Sequence, residues 1–205
     1  MANKKALIFG VLGQDGSFMA ELLHSKGYEV YGVVGAHTDG SRYVEPHTKG
    51  MIMIFKLNAL HHIEELISLV RPDEIYNFAG VSNVFTPWDD LDTLFDTNVK
   101  LPQYILEAIV KADKSIKFFQ ASSCLIFGKD EFGIQNEQTP VNPLHPYGIS
   151  KYAAQSLVKM FRDTHGIFAC SGIFFNHESE RRGENFFSKK MATSISRYNL
   201  GSTSM

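Results

Sequence analysis

Apolar and polar positions follow two patterns along this chain: short continuous apolar runs, and longer stretches with apolar residues three or four apart. Lys5 to Phe9 is a run of strand type, and Ser17 to Lys26 sets Phe18, Met19, Leu22 and Leu23 on one helical stripe that ends at Gly27. Further strands are predicted over Tyr28 to Val34, Met51 to Phe55, Glu74 to Phe78 and Ser115 to Gln120, with another apolar run from Ile167 to Phe174. Between them the spacing predicts helices over His61 to Val70, stopping before Arg71-Pro72, and over Tyr147 to Arg162. A longer one is expected over Asn98 to Lys111, where Val99, Leu101, Ile105, Leu106 and Ile109 recur at helical intervals. Strands alternating with helices imply a parallel sheet covered on both faces, the doubly wound α/β architecture. There is no internal repeat. Two long breaks, Gly35 to Gly50 and Lys129 to Pro146, have the length of loops that serve a ligand.

Composition narrows the class. With 205 residues, 44% apolar and 20% charged, the chain can bury a sizeable core as one domain, or as one domain plus a fragment of another. A formal charge of −2, with its 20 Lys and Arg scattered, gives no footprint for nucleic acid. Cys124 and Cys170 lie in apolar surroundings without a Cys-x-x-Cys spacing, so buried thiols in a reduced, cytoplasmic protein are expected. No apolar run reaches the ~18 residues of a membrane span, and Met-Ala-Asn-Lys-Lys leads into a strand rather than a signal peptide. A membrane partner is not expected. The eight histidines show no metal spacing: His61-His62 opens a helix and faces solvent, and His145 precedes Pro146 in a loop. Trp88-Asp89 and Phe118-Phe119 read as packing residues.

Two clusters carry chemistry. The first strand-to-helix turn holds Gly10, Gly13 and Gly16, with Gln14-Asp15 between the last two. Glycines there let the backbone bend tightly and approach a pyrophosphate, which amides at the helix N-terminus then hold. The spacing Gly-x-x-Gly-x-x-Gly differs from the Gly-x-Gly-x-x-Gly of many dehydrogenases, but its position between strand and helix points to dinucleotide binding. Asn77-Phe78-Ala79-Gly80 brings a second small-residue approach to the same sheet edge. Tyr147 and Lys151 form the other cluster, four residues apart on one helix face. An adjacent fixed cation lowers a tyrosine's pKa and lets the phenolate move a proton. Standing alone the pair also reads as a solvated helix face.

Together these residues resemble the extended short-chain dehydrogenase/reductases acting on nucleotide sugars, and within them the GDP-mannose 4,6-dehydratase family. The resemblance runs from about Ala6 to Lys190. It rests on Gly10 to Gly16, on Arg71-Pro72-Asp73-Glu74-Ile75-Tyr76-Asn77, and above all on Phe175-Asn176-His177-Glu178-Ser179-Glu180-Arg181-Arg182-Gly183-Glu184-Asn185-Phe186. A Rossmann-type domain over residues 1–175 is implied, followed over residues 176–205 by the start of an incomplete sugar-nucleotide domain. Tyr147 would take the proton of the hexose 4-hydroxyl, Lys151 would lower the tyrosine pKa and bind the nicotinamide ribose, and Ser123 would hydrogen-bond the same sugar oxygen. The resemblance also assigns Phe78, Ala79, Gly80, Asn176 and His177 to the cofactor, beside Gly10, Gly13, Gln14, Asp15 and Gly16. To the sugar nucleotide, a GDP-sugar, it assigns Ser82, Ser123, Asn176, Glu178, Arg182 and Asn185. An arginine pair and an amide suit a diphosphate and a sugar hydroxyl, although Arg181-Arg182 alone would read as a basic turn.

The chain also departs from the family. Where the family carries the glutamate that removes the C5 proton and helps expel the 6-hydroxyl as water, this chain has Leu125. Neighbouring Cys124 is expected on the opposite strand face, and Asp130 and Glu131 read as solvated loop residues. Val34-Gly35-Ala36-His37 stands where the family presents arginines to the NADP 2′-phosphate; Asp39 lies a few residues on, and His37 or Arg42 is placed to meet a phosphate. Lys56 replaces an adenine-contacting aspartate. NADP is the cofactor expected on family grounds, with NAD the alternative. Because the family's substrate domain is completed by segments beyond Gly201-Ser202-Thr203-Ser204-Met205, a fragment, a truncated product or a chain completed by a partner is expected. Exposed apolar surface would then drive association into a homo-oligomer. Three functions follow: a GDP-mannose 4,6-dehydratase-like lyase, a C4 oxidoreductase or epimerase that does not dehydrate, and an inactive nucleotide- or partner-binding relative.

Overall fold

A computed structural model describes residues 3–36, 50–82, 87–129, 133–184 and 186–199. Six strands form one wholly parallel sheet: β1 (Lys5–Phe9), β2 (Glu29–Gly35), β3 (Ile52–Leu57), β4 (Glu74–Asn77), β5 (Lys117–Ser123) and β6 (Ala169–Phe174), in the order β3-β2-β1-β4-β5-β6. This is the Rossmann-type α/β fold expected from the sequence. The order reverses between β1 and β4, and ligands of such sheets sit outside the carboxyl ends of the strands at that point.

Helices cover the sheet as the alternating pattern requires. Helix α1 (Gln14–Ser25) packs on one face, where Ala20 and Leu23 meet Ala6, Ile8, Val30 and Val34. Helices α2 (Ile63–Val70), α4 (Leu101–Ala112) and α5 (Pro146–His165) cover the other around Leu7, Phe9, Ile75 and Phe118. Phe118 is core, as expected, while Phe119 joins Tyr76, Phe78 and Phe174 in an aromatic cluster. Arg71, in the left-handed region at φ 50°, ends α2 before Pro72.

Several boundaries differ from expectation. Helix α1 begins at Gln14 rather than Ser17, directly after Gly13, so the glycine turn and the helix N-terminus are contiguous. His61 and His62 lie in a 3₁₀ turn, and α2 proper starts at Ile63. The helix expected from Asn98 starts earlier, with α3 (Leu91–Phe95) running through a π turn (Asp96–Lys100) into α4. Helix α6 (Phe187–Asn199) occupies a stretch where the sequence reading sets no element. It buries none of its described residues and exposes Phe187, Met191, Ile195 and Tyr198, a stripe at i,i+4 and i,i+3 spacing, while Ser188 and Lys189 tie its first turn to Glu178 and to the Glu180 carbonyl. Both cysteines are free but only partly buried, Cys124 opening a turn after β5 and Cys170 lying on β6 at the end of the strand order. Among the described residues no helix is long and apolar enough to cross a membrane. His37, Asp39, Arg42, Asp130, Glu131, Asn185 and the segment Gly201 to Met205 lie outside the described residues.

Candidate active site

The first glycine turn sits at the reversal of strand order. Gly10 has φ 76°, and a Cβ on it would stand 2.6 Å from the Ala79 backbone nitrogen, so β1 and β4 can approach only with glycine there. A Cβ on Gly16 would stand 2.3 Å from the Gly10 carbonyl oxygen, which closes the turn against α1. Gly13 differs. It is exposed, has an extended backbone at φ −79° and ψ 170°, and precedes a helix start that no side chain caps. The first amides of α1 therefore face outward with the positive end of the helix dipole, an arrangement that fits a pyrophosphate. The fit holds with one qualification in charge: Asp15 also stands in the first turn, but its carboxylate is paired to His177 at 2.7 Å.

The turn opens into a cleft of about 670 Å³ at the carboxyl edge of the sheet. Gly13, Gln14 and Asp15 line one side with Phe78, Gly80 and Ser82. Ser123, Leu125, Tyr147 and Lys151 line another, and Asn176, His177 and Arg182 a third. Gly10, Gly16 and Ala79 shape the wall from behind rather than lining it, and Glu178 lies outside the lining, ion-paired to Arg182 at 3.3 Å. Lys56 sits on edge strand β3 opposite Val34, away from the cleft.

Tyr147 and Lys151 are on the first turns of α5, which begins with Pro146 at a position that tolerates a missing N–H. Lys151 is only 5% exposed. Its Nζ lies 5.8 Å from the Tyr147 ring centre and donates to the Ala121 carbonyl at 3.1 Å. Burial lowers the Lys151 pKa to about 8, partly opposed by the charge of Asp15. Burial likewise raises the Tyr147 pKa; a hydrogen bond with Ser123 opposes this, Cys124 adds to it, and the Arg182 charge opposes it. The expectation that Lys151 holds the phenol low is thus corrected: desolvation dominates, because both groups are packed into the cleft wall. Ser123 Oγ also accepts from the Leu125 N–H at 3.2 Å. That turn ends β5 and brings the Leu125 side chain into the cleft beside Tyr147. Cys124 does not line the cleft, and burial raises its thiol pKa, so it supplies no base.

Two residues of the site take roles that the sequence reading does not give them. Asn98, 2% exposed, sits in the π turn; its side chain accepts from the Val81 N–H at 2.9 Å and donates to the Val81 carbonyl and to Ser150 Oγ. It ties the loop after β4 to α5, one residue from Lys151. The second is Arg181. Expected to share a diphosphate with Arg182, its guanidinium instead donates to Ser17 Oγ at 3.1 Å and Glu21 Oε1 at 2.6 Å and lies 3.9 Å from the Phe18 ring centre. Arg182 stacks on Phe186 at 3.6 Å, and its buried Nε has no hydrogen-bond partner despite the nearby Glu178 carboxylate. Sequence signals for these two were a polar residue on an apolar helix stripe and one arginine of two, and neither distinguishes a strut from a ligand. Among the described residues no cluster of three metal-ligating side chains is present.

Strand order, uncapped helix and buried lysine define a dinucleotide-type α/β scaffold shared with solved nucleotide-sugar enzymes. UDP-glucuronic acid 4-epimerase from Bacillus cereus in complex with NAD superimposes with a TM-score of 0.80 at 21% identity, over 93% of this chain and 62% of that one. UDP-glucose 4-epimerase from Thermotoga maritima with UDP-glucose gives 0.81 at 20% identity, over 96% and 63%. Similarity at this identity concerns the fold. By sequence the chain belongs to the GDP-mannose 4,6 dehydratase family, whose profile matches residues 7–205. The GDP-mannose 4,6-dehydratase of Vibrio cholerae is 36% identical over 204 residues, covering 94% of this chain and 55% of its own length. The human GDP-mannose 4,6 dehydratase is 36% identical over 215 residues, covering 96% and 56%. This chain thus spans just over half the length of the curated relatives it matches.

Proposed function

We propose that this chain carries the redox centre of a nucleotide-sugar modifying enzyme, acting at C4 of the hexose of a GDP-sugar. The observation that carries the reading is the convergence of Ser123, Tyr147 and Lys151 on the same cleft as Gly13, Gln14 and Asp15. Gly13 and the first amides of α1 would hold the diphosphate of a nicotinamide dinucleotide, with Phe78, Gly80, Asn176 and His177 about it. Family membership supports NADP, and NAD in the Bacillus cereus epimerase supports the alternative. When bound, the cofactor supplies the hydride acceptor for C4. Tyr147 takes the proton of the 4-hydroxyl, Ser123 hydrogen-bonds the same oxygen and holds the tyrosine pKa down against burial, and Lys151 holds the ribose. Arg182, with its unsatisfied Nε, Ser82 and Asn176 would hold the sugar nucleotide.

Leu125 favours a second reading, oxidation or epimerisation at C4 without loss of water. Its side chain lines the cleft at the position of the family's glutamate and has no proton to give or take. Incubation with GDP-mannose and NADP or NAD separates the possibilities. A 4-keto-6-deoxy product supports the lyase, whereas a 4-keto sugar with reduced cofactor, or the C4 epimer with the cofactor returned to its oxidised form, supports the second reading. None of these products from folded protein leaves a binding relative and overturns the enzymatic reading.

A further inference from the structure

The segment 175–184 lies along the start of α1 as a strap, tied to it at three alternate residues. His177 Nε2 donates to Asp15 Oδ1 at 2.7 Å. Ser179 Oγ donates to Gln14 Oε1 at 2.8 Å and accepts from the Arg181 N–H at 3.1 Å. Arg181 completes the series with its bonds to Ser17 and Glu21 and its stacking on Phe18. The same strap carries Asn176 and Arg182, which line the cleft. Arg181 also borders the cleft and its buried Nε has no hydrogen-bond partner, but its side chain is only 6% exposed and both terminal nitrogens are committed to α1, so the fork that would grip a diphosphate is already taken.

We propose that Arg181 is a positioning residue: clamped on the first turns of α1, it fixes the strap so that the glycine turn and the cleft-facing groups Asn176 and Arg182 form one rigid unit. The two arginines divide the labour. Arg182 meets the ligand, and Arg181 sets where Arg182 stands. Binding at the glycine turn and binding at the strap are then coupled through α1, and such coupling is reciprocal. The role of the ligands rests on the function proposed above; the clamp itself does not.

Hydrogen exchange with mass spectrometry on the purified protein tests the clamp. In Arg181→Met the apolar stem is kept, and Ser17 Oγ retains its bond to the Gln14 carbonyl at 2.7 Å, so the sheet should stay folded. Amides of 176–184 are expected to exchange about tenfold faster, the scale of losing hydrogen bonds to a charged group, with β1, β4 and β5 unchanged. Arg181→Lys, which can still reach Glu21, should recover part of this protection. Glu21→Ala, a change on the partly exposed side of the pair, should open the strap by a smaller factor and serves if Arg181→Met does not fold. Arg182→Met should leave strap exchange within about twofold of the parent while weakening GDP about tenfold by calorimetry. Arg181→Met should weaken GDP and NADP together. Unchanged strap exchange in Arg181→Met, or equal opening in Arg182→Met, overturns the proposal. A strap that opens selectively in a protein binding neither GDP nor NADP sustains the clamp and overturns the proposed function.

Discussion

Lys151 Nζ stands 5.8 Å from the centre of the Tyr147 ring and spends a hydrogen bond on the Ala121 carbonyl at 3.1 Å. The two groups share a cleft wall, and each is displaced toward its neutral form by burial.

Stability should reveal what this arrangement costs. Holding Lys151 at about 8 rather than 10.5 costs the folded state roughly 3 kcal/mol at neutral pH. The Ala121 carbonyl would keep its bond from Gln120 Nε2 if the ammonium were removed. Lys151→Met should therefore be more stable at pH 7 by roughly 1–3 kcal/mol in urea denaturation while losing redox activity. Between the folded and unfolded pKa values the unfolded chain binds more protons, so the parent gains stability as pH rises from about 8 toward 10.5. The variant's advantage should shrink by pH 10, and its absence at pH 7 would show that the ammonium is not held at a cost.

The glycines of the turn should separate folding from binding. Gly16→Ala puts a methyl 2.3 Å from the Gly10 carbonyl oxygen and should cost roughly 3 kcal/mol. Gly13 has a backbone any residue can adopt, and a methyl there would stand 3.2 Å from the Gly10 oxygen, a tight contact that a shift of a few tenths of an ångström relieves. Gly13→Ala should therefore cost stability much less than Gly16→Ala does, under ~1 kcal/mol including the poorer N-cap, while NADP affinity falls severalfold. Equal effects of both changes on stability would place Gly13 in the scaffold rather than at the ligand.

Replacing Leu125 with glutamate tests the missing step. The side chain enters the cleft beside Tyr147, so Leu125→Glu places a carboxylate where a C5 proton would be taken. General acid–base catalysis contributes on the order of a hundredfold or more, and a comparable rise in 4-keto-6-deoxy product is expected by mass spectrometry. A folded, dinucleotide-bound variant with no such product would count against Leu125 as the position of the base.

His177 should titrate above an ordinary histidine. Its Nδ1 faces the Phe175 carbonyl at 2.7 Å and its Nε2 the Asp15 carboxylate at 2.7 Å, two acceptors that together favour the doubly protonated ring. The Phe175 carbonyl first, and Asp15 with it, raise the pKa above 6.5, against burial and Arg182. The pair's contribution is fully present below 6.5 and fades as pH rises through the folded value. Both side chains are about a third exposed or more, so it is worth under ~1 kcal/mol. NMR titration should give a lower His177 pKa in Asp15→Asn than in the parent; equal values would mean that the carboxylate does not bind the ring in solution.

The elements with strong periodicity were legible before any coordinate. The runs at Lys5 to Phe9 and Glu74 to Phe78 and the stripe from Val99 to Ile109 mark strands and a helix because burial on one or both faces leaves a repeating trace in the chain. The stripe of Phe187, Met191, Ile195 and Tyr198 was harder to read, since helix α6 leaves all four of these apolar side chains exposed.

By itself the sequence determined the alternation of strands and helices, the glycine turn, the spacing of Tyr147 and Lys151, and the apolar side chain at Leu125, because each is a matter of local residue type and interval. Only the tertiary structure decided which residues share a cleft, that burial pushes both Tyr147 and Lys151 toward their neutral forms, and that Arg181 grips α1 while Arg182 stacks on Phe186. The reason is physical: desolvation and long-range pairing depend on neighbours more than a hundred and sixty positions away, as between Ser17 and Arg181, and no local pattern encodes them.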